Sequence, residues 1–322
     1  MGNMLLMLDI ARSVERICPN AWLIQSSNPV FEGCTLVGRE TDAKIIGLCH
    51  GHFGYKKVAT ELGLDLKYVS ARMPGFNHWI FMTEFRYKGE DAYPLLDEWI
   101  EAKAEEYWKN SNSVFSEVQL SRASIHQYKM YGSMPIGDSP RFVGWWYQTD
   151  LETRKRWYNE FGGFDSEVGW AEYLINNANK IERIEQVAQD AGRRVTDEFE
   201  PRLSDEQIVA IINSIANDIP GTYQVNIPNH GPLIPGFPED LVVEVQAVAD
   251  AGGVHGMAEP VFPSKLMVGA MIPRWHKAET MIEPLRTRDR ELLLQYLLFE
   301  PRTNSLDQAT NLLDEWLSDP RN

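Results

Sequence analysis

Cysteine, basic charge and long apolar runs are scarce in this sequence. Three cysteines in 322 residues, an odd number at Cys18, Cys34 and Cys49, do not make a disulfide framework. So few thiols in a chain this long point to a reduced, cytoplasmic protein in which Cys49 can stay a thiolate. Lys and Arg number 31 against 46 Asp and Glu, a formal charge of -15. That balance argues against a basic face for nucleic acid or anionic membrane, so neither is expected as a partner. No apolar stretch approaches the roughly 18 to 20 residues of a membrane span. The opening Met1-Gly2-Asn3-Met4-Leu5-Leu6-Met7-Leu8-Asp9 lacks the basic segment of a signal peptide and reads as the start of an amphipathic helix. Internal repeats, low-complexity stretches and flexible linkers are missing as well.

What is present belongs to a packed globular chain. Apolar residues make up 43%, and 10 Trp, 12 Tyr and 13 Phe supply material for cores and ring-lined pockets. The length suits one large domain or two modest ones. Leu5 to Ile17 has helical spacing and stops at Cys18-Pro19; Ala21 to Ser26 then reads as a buried strand ending in the polar turn Asn28-Pro29. Lys44 to Leu48 repeats the pattern and delivers Cys49-His50-Gly51 at its carboxyl end. Helix, strand and polar strand tip form the unit of an open α/β sheet, where ligands sit at strand ends.

Farther along, His52 to Leu62 reads as a helix, Leu66 to Ala71 and Ile80 to Tyr87 as strands, and Pro94 opens a helix running to about Lys109. Tyr131 to Arg141 is a breaker-rich loop holding Tyr131, Asp138 and Arg141. Ser204 to Ala216 reads as a helix capped by Ser204, and 223–229 with 241–245 as two antiparallel strands. The chain from about Pro263 to Leu317 reads as mostly helical.

Two segments carry candidate chemistry. Gly47-Leu48-Cys49-His50-Gly51 and Phe76-Asn77-His78-Trp79 offer a thiolate and imidazoles beside turn-forming residues. Both are good ligands for first-row divalent metals, and so few protein ligands leave coordination positions open for a substrate. The same residues also suit a small buried thiol and a satisfied core histidine, and spacing alone leaves both readings open.

Several motifs in order shift that balance. Asn28-Pro29, Gly47-Leu48-Cys49-His50-Gly51, Phe76-Asn77-His78 and Met134-Pro135-Ile136-Gly137-Asp138 resemble the family 4 glycoside hydrolases. The likeness continues through Ala92-Tyr93-Pro94-Leu95-Leu96-Asp97, Asp165-Ser166-Glu167, Val225-Asn226-Ile227-Pro228-Asn229 and Val242-Val243-Glu244-Val245, so it covers nearly the whole chain. His50 after Cys49 is most similar to the α-glucosidase and α-galactosidase branch, which also includes enzymes acting on uronic acids.

The resemblance implies an α/β fold: part of a Rossmann-type nucleotide domain over residues 1–50, then a catalytic, metal-binding α+β domain over 51–322 of the lactate/malate dehydrogenase C-terminal type. It implies NAD and a divalent metal, manganese in most of the family, as cofactors. The partner is a small-molecule α-glycoside, and the protein is a homo-oligomer, dimer or tetramer. Cys49 and His78 match the metal ligands. Asn28 matches a strand-tip residue that contacts the sugar and, with Pro29, the cofactor; Asn77 and Arg141 match sugar contacts. Asp138 matches the base, Tyr131 is the local counterpart of a tyrosine used elsewhere in the family, and His50 is placed to protonate the leaving group.

The implied chemistry departs from the usual two-carboxylate glycosidase. The sugar is oxidised at carbon 3 by hydride transfer to the nicotinamide, a base removes the proton at carbon 2, the aglycone leaves, water adds and the hydride returns. The metal acts as a Lewis acid on the sugar hydroxyls and the enolate.

One family feature is missing. No glycine-rich turn for a dinucleotide pyrophosphate precedes Asn28. The expectation is therefore a chain that begins inside the Rossmann fold, short of it by on the order of a hundred residues. A metal- or sugar-binding protein without turnover is the alternative. A relative of the 2-hydroxy-acid dehydrogenases, suggested by the Asn-Pro strand tip, is opposed by the Cys and His pair.

Overall fold

The first fifty residues build the α/β unit that the periodicity predicts. In the computed structural model, which describes residues 2–110, 118–201, 204–259 and 261–319, helix α1 (Gly2–Ile17) packs on α2 (Val30–Glu40). It buries Met4, Met7, Leu8 and Ala11, whose i, i+3, i+4, i+7 spacing lines one helix face. Strands β1 (Trp22–Gln25) and β2 (Lys44–Gly47) lie side by side and parallel, Gln25 opposite Gly47. Gly47 allows close approach at the end of β2: a Cβ there would sit 2.6 Å from Val30, 2.8 Å from the Cys34 sulfur and 2.9 Å from Asn226.

From residue 51 the chain forms α3 (Gly54–Glu61), β3 (Val69–Arg72), β4 (Gly75–Phe76), β5 (Trp79–Met82), β6 (Glu84–Tyr87) and β7 (Glu90–Asp91). Next come α4 (Tyr93–Ala102), α5 (Ala104–Lys109), α6 (Arg122–Tyr131), β8 (Met134–Ile136), α7 (Ser139–Phe142), α8 (Leu151–Trp157), α9 (Glu167–Gln189), α10 (Val195–Glu198) and α11 (Ile208–Asn217). The chain closes with β9 (Gly221–Pro228), β10 (Val242–Asp250), β11 (Gly253–Gly256), α12 (Ser264–Leu266), a π-helical turn over Met267–Met271, α13 (Ile272–Thr287), α14 (Arg290–Leu298) and α15 (Leu306–Ser318).

One sheet runs β1-β2-β9-β10-β4-β5-β8, with β11 on β10; β3-β6-β7 form a second. Among the described residues only β1 and β2 are parallel. Gly47 of β2 pairs with Asn226 of antiparallel β9, joining the α/β unit to the remainder in one ladder. Alternation along β5 places the larger sheet between two cores. Phe81 faces one core with Phe31, Phe76 and Val243; Ile80 and Met82 face another with Leu96, Met134 and Ile136.

Helix α2 is tied to α13 at both of its ends. Glu32 pairs with Arg274 at 2.6 Å, and Arg39 pairs with Glu279 at 2.7 Å and with Asp240 at 2.9 Å. The Arg274 guanidinium lies over the Phe31 and Trp79 rings.

Several expectations change. Ile80 to Tyr87 is two strands in two sheets, broken at Thr83, whose N–H donates to the Arg72 carbonyl; β5 is buried on both faces and β6 on one, with no breaker residue between them to mark the join. Leu66 to Tyr68 is a 3-10 turn capped by Asp65 ahead of β3. The long helix after Pro94 is interrupted at Lys103. The helix expected from Ser204 starts at Ile208 instead, and Ser204 accepts from the Glu206 N–H in the turn before it. Tyr131 to Arg141 contains β8 and the single turn α7. Helix α9, 23 residues long and capped by Ser166, is absent from the sequence reading altogether.

Candidate active site

The predicted site residues lie at strand and hairpin tips, as the motif spacing implies. Cys49 follows the end of β2, half-buried. Its thiol is hydrogen-bonded by the Gly51 backbone N–H and the Asn77 side chain, contacts that favour the thiolate. Burial, reinforced by the negative charge of Glu244, outweighs them and pushes the thiol pKa up to about 11. The free site therefore holds a neutral thiol, and a metal would have to displace its proton.

His78 is presented by the β4–β5 hairpin. Phe76 pairs with Trp79, leaving Asn77 and His78 as the two turn residues. His78 has φ +60°, a left-handed conformation that costs a non-glycine residue on the order of 1 kcal/mol or more. Glycine would sit there without strain, so the imidazole is held at that point against a local preference. Its ring stacks on Phe142 at 5.5 Å, and its Nε2 is 3.5 Å from Asp138 Oδ2. Burial lowers its pKa, partly offset by the Asp138 charge, which leaves a nitrogen free to ligate.

Asp138 begins α7, and its loop touches the Cys49 loop directly. Gly137 has φ +64°, and a Cβ there would come within 2.6 Å of the Gly51 carbonyl oxygen; a Cβ on Gly51 would lie 3.7 Å from the Cys49 sulfur and 4.0 Å from the Asp138 nitrogen. Cys49, His78 and Asp138 are thus gathered from three loops. Arg141, one turn on, donates from Nη1 to Asp138 at 2.8 Å and from Nε and Nη2 to Asp165 at 2.7 and 2.6 Å. Its guanidinium also lies 4.6 Å over the Phe164 ring. Arg141 is the rigid counter-ion of two carboxylates, with part of its donor fork left over.

Other predicted residues lie apart from this group. His50 is exposed, its Nδ1 3.2 Å from Glu206. Asn28 is exposed at the tip of β1, where its carbonyl accepts from Asn3, and Pro29 leads into α2. Tyr131 is buried in the core against Phe81.

The donor set fits a metal with open positions. Among the described residues no three His, Cys, Asp or Glu side chains are arranged around one ion. Cys49 and His78 would supply two ligands, and the N–H groups on the Cys49 sulfur are the outer partners a thiolate ligand uses. The fit to a dinucleotide stops at the tip of β1 and the N-terminus of α2. Only Gly2 precedes Asn28, so these residues hold no glycine-rich cradle for a pyrophosphate.

Glu244 and Asp165 also belong to this site. Glu244, on β10 beneath Cys49, accepts from Asn77 at 3.2 Å and from Gln224 at 3.5 Å. Complete burial pushes its pKa up to about 7, with amide hydrogen bonds from Asn77, Asn226 and Gln224 holding it down. A glutamate inside the apolar strand Val242-Val243-Glu244-Val245 was the available signal. Asp165 orients Arg141, and nothing in its local sequence marks that partner 24 residues away.

Comparisons with known proteins give the family and the fold. The profile of the family 4 glycosyl hydrolase C-terminal domain matches residues 73–303, and that of family 4 glycosyl hydrolase matches residues 1–64. The alpha-glucosidase of Erwinia rhapontici is 27% identical over 97% of this chain and 70% of its own length. The alpha-galactosidase of Bacillus subtilis strain 168 is 28% identical over 93% of this chain and 65% of its own length. Among solved structures, lplD from Bacillus subtilis superposes with a TM-score of 0.79 at 22% identity, over 97% of this chain and 72% of that one. A 6-phospho-alpha-glucosidase from gut microorganisms, in complex with NAD and Mn2+, has a TM-score of 0.73 at 16% identity, over 99% of this chain and 71% of that one. These two share the fold.

Proposed function

The chain belongs to glycosyl hydrolase family 4, and from that premise we propose that it carries the metal-binding half of an NAD- and divalent-metal-dependent α-glycosidase of the α-glucosidase and α-galactosidase type. The convergence of Cys49, His78 and Asp138 from three loops is the observation that carries this reading. Named relatives include an alpha-glucosidase, an alpha-galactosidase and an alpha-galacturonidase, which favours an α-linked hexose or uronic acid as substrate. In this reading residues 1–50 face the dinucleotide through Asn28 and Pro29, and residues 51–322 hold the metal and the sugar. The reduced cytoplasm suits a site built on a free Cys49.

A divalent ion, manganese in this reading, supplies Lewis-acid polarisation of the sugar's oxygens when bound. Cys49 and His78 would hold it. Asp138 stands beside His78 and accepts the proton from carbon 2 of the sugar, kept in place by Arg141, which Asp165 holds from behind. Asn77 is buried, its amide engaged on the Cys49 sulfur and on Glu244, so it fixes the thiol from within and makes no sugar contact; the spare donors of Arg141 meet the sugar's hydroxyls. His50, in solvent on the same loop, delivers a proton to the departing aglycone. Tyr131, buried in the core, takes no part.

The test is release of nitrophenol from nitrophenyl α-glycosides by the full chain with manganese and NAD under reducing conditions. Turnover that disappears in Cys49→Ser and His78→Ala is expected. Metal binding without release at any NAD concentration would replace this reading with a binding protein, which the missing glycine-rich turn also accommodates.

A further inference from the structure

Helix α9 keeps a long apolar surface in solvent. Of its 23 residues only Gly169 and Val187 are buried, while Trp170, Tyr173, Leu174, Ile181 and Ile184 are exposed, Leu174 by 62% and Ile181 by 57%. A lone helix in water gains its stability mainly from a packed face, and this helix packs little of itself on its own chain. Soluble proteins seldom leave such a stripe uncovered.

The order of residues along the stripe indicates what covers it. Counted from Asn177, Trp170 and Ile184 lie seven residues before and after, and Tyr173 and Ile181 four before and after. At 100° per residue all four fall within about 40° of Asn177, on one seam about 21 Å long. A sequence that repeats its apolar positions symmetrically about one residue is complementary to itself run backwards, the requirement of a twofold contact.

We infer that α9 pairs antiparallel with α9 of a second copy of this chain, with the twofold axis at Asn177. Trp170 then lies against Ile184 of the other copy, Tyr173 against Ile181, and the two Asn177 amides meet at the centre. A single polar residue at such a seam fixes register at some expense of stability. Leu174 adds apolar contact on one flank, and Lys180 on the other faces the Tyr173 ring of the second copy, a cation–π arrangement. Glu172 and Glu182 lie off the seam, so it brings no acidic side chains together although each chain carries a charge of -15. The exposed surface of these residues, doubled by the twofold, is on the order of 1,000 Å², the lower range for a specific interface. The contact also covers the outer side of Phe164, whose ring touches Trp170 and Tyr173 and backs Arg141.

Sedimentation equilibrium of the full chain at micromolar concentration tests the inference. A dimer is expected, with the molar mass halved in the double variant Leu174→Glu, Ile181→Glu at unchanged circular dichroism. Crosslinking tests the geometry without disturbing the seam. In a Cys18→Ser background, Asn177→Cys should oxidise to a disulfide-linked dimer, and mixed Trp170→Cys and Ile184→Cys chains should crosslink to each other. Ile175→Cys, on the far side of α9, should stay reduced. A monomeric parent chain, a folded double variant that stays dimeric, or crosslinking at Ile175→Cys in preference to Asn177→Cys would overturn it.

Discussion

The tips of β1 and β2 are neighbours in one parallel pair, yet they are furnished very differently. Beyond β2, Cys49 is enclosed by Asn77, Glu244 and the Gly137 loop, and His78 and Asp138 are held by stacking and by a doubly paired arginine. Beyond β1, Asn28 is exposed, and its backbone carbonyl carries its hydrogen bond to Asn3. The β2 tip is preorganised; the β1 tip presents a surface. Preorganisation is what makes a metal site selective in geometry, and it leaves buried charges whose loss can be measured.

Five substitutions break or sharpen this contrast. Cys49→Ser removes one of the two proposed ligands, so cobalt titration should lose its thiolate charge-transfer band. Manganese, which should raise the melting temperature of the parent chain, should no longer do so; saturation at a hundred times Kd corresponds to roughly 2.7 kcal/mol. Arg141→Met strands the part-buried Asp138 and Asp165 carboxylates, and urea unfolding should show a loss of roughly 2 kcal/mol, between that of an exposed pair and that of a buried one.

Glu244→Gln should alter the pH profile instead. An unfolded glutamate titrates near 4.5, whereas folded Glu244 holds its proton until about 7. The folded state then binds more protons than the unfolded one between these values, so stability falls as pH rises through that window, by roughly 3 kcal/mol in total. His52 opposes it: burial lowers its pKa to about 4, and stability is lost as pH falls from 6.5 toward that value. The parent profile combines the two, and the difference between parent and Glu244→Gln isolates the glutamate. His78→Gly should relieve the left-handed strain, with a gain of about 1 kcal/mol in stability alongside the loss of metal binding. Asn28→Ala should change stability by less than about 0.5 kcal/mol and leave metal affinity untouched. A large loss of metal affinity there would erase the distinction between the two tips.

The strand tips were legible because apolar runs ending in polar turns mark where buried strands leave a sheet, and Cys49, His78 and Asp138 are indeed neighbours. The partnerships were not. Arg141 carries no local sign that Asp165 will occupy its fork, and Glu244 stands out as a charge in an apolar strand without disclosing that it lies under Cys49. The strand break at Thr83 is invisible in the sequence because no breaker residue marks the join. Helix α9 escaped for a different reason: beside its seam it carries Val168 and Ile175 on the far side, so its apolar residues do not fall on one face alone.

The two clamps between α2 and α13 have a mechanical meaning. Glu32 and Arg39 stand seven residues apart on α2, and their partners Arg274 and Glu279 five apart on α13, in the same order. Two helices riveted at both ends move as one strut, so a hinge cannot fall between them. Any opening at the Asn28 tip must swing α13 along with α2, and a spin-label pair across the two helices would hold a constant separation while the tip moves.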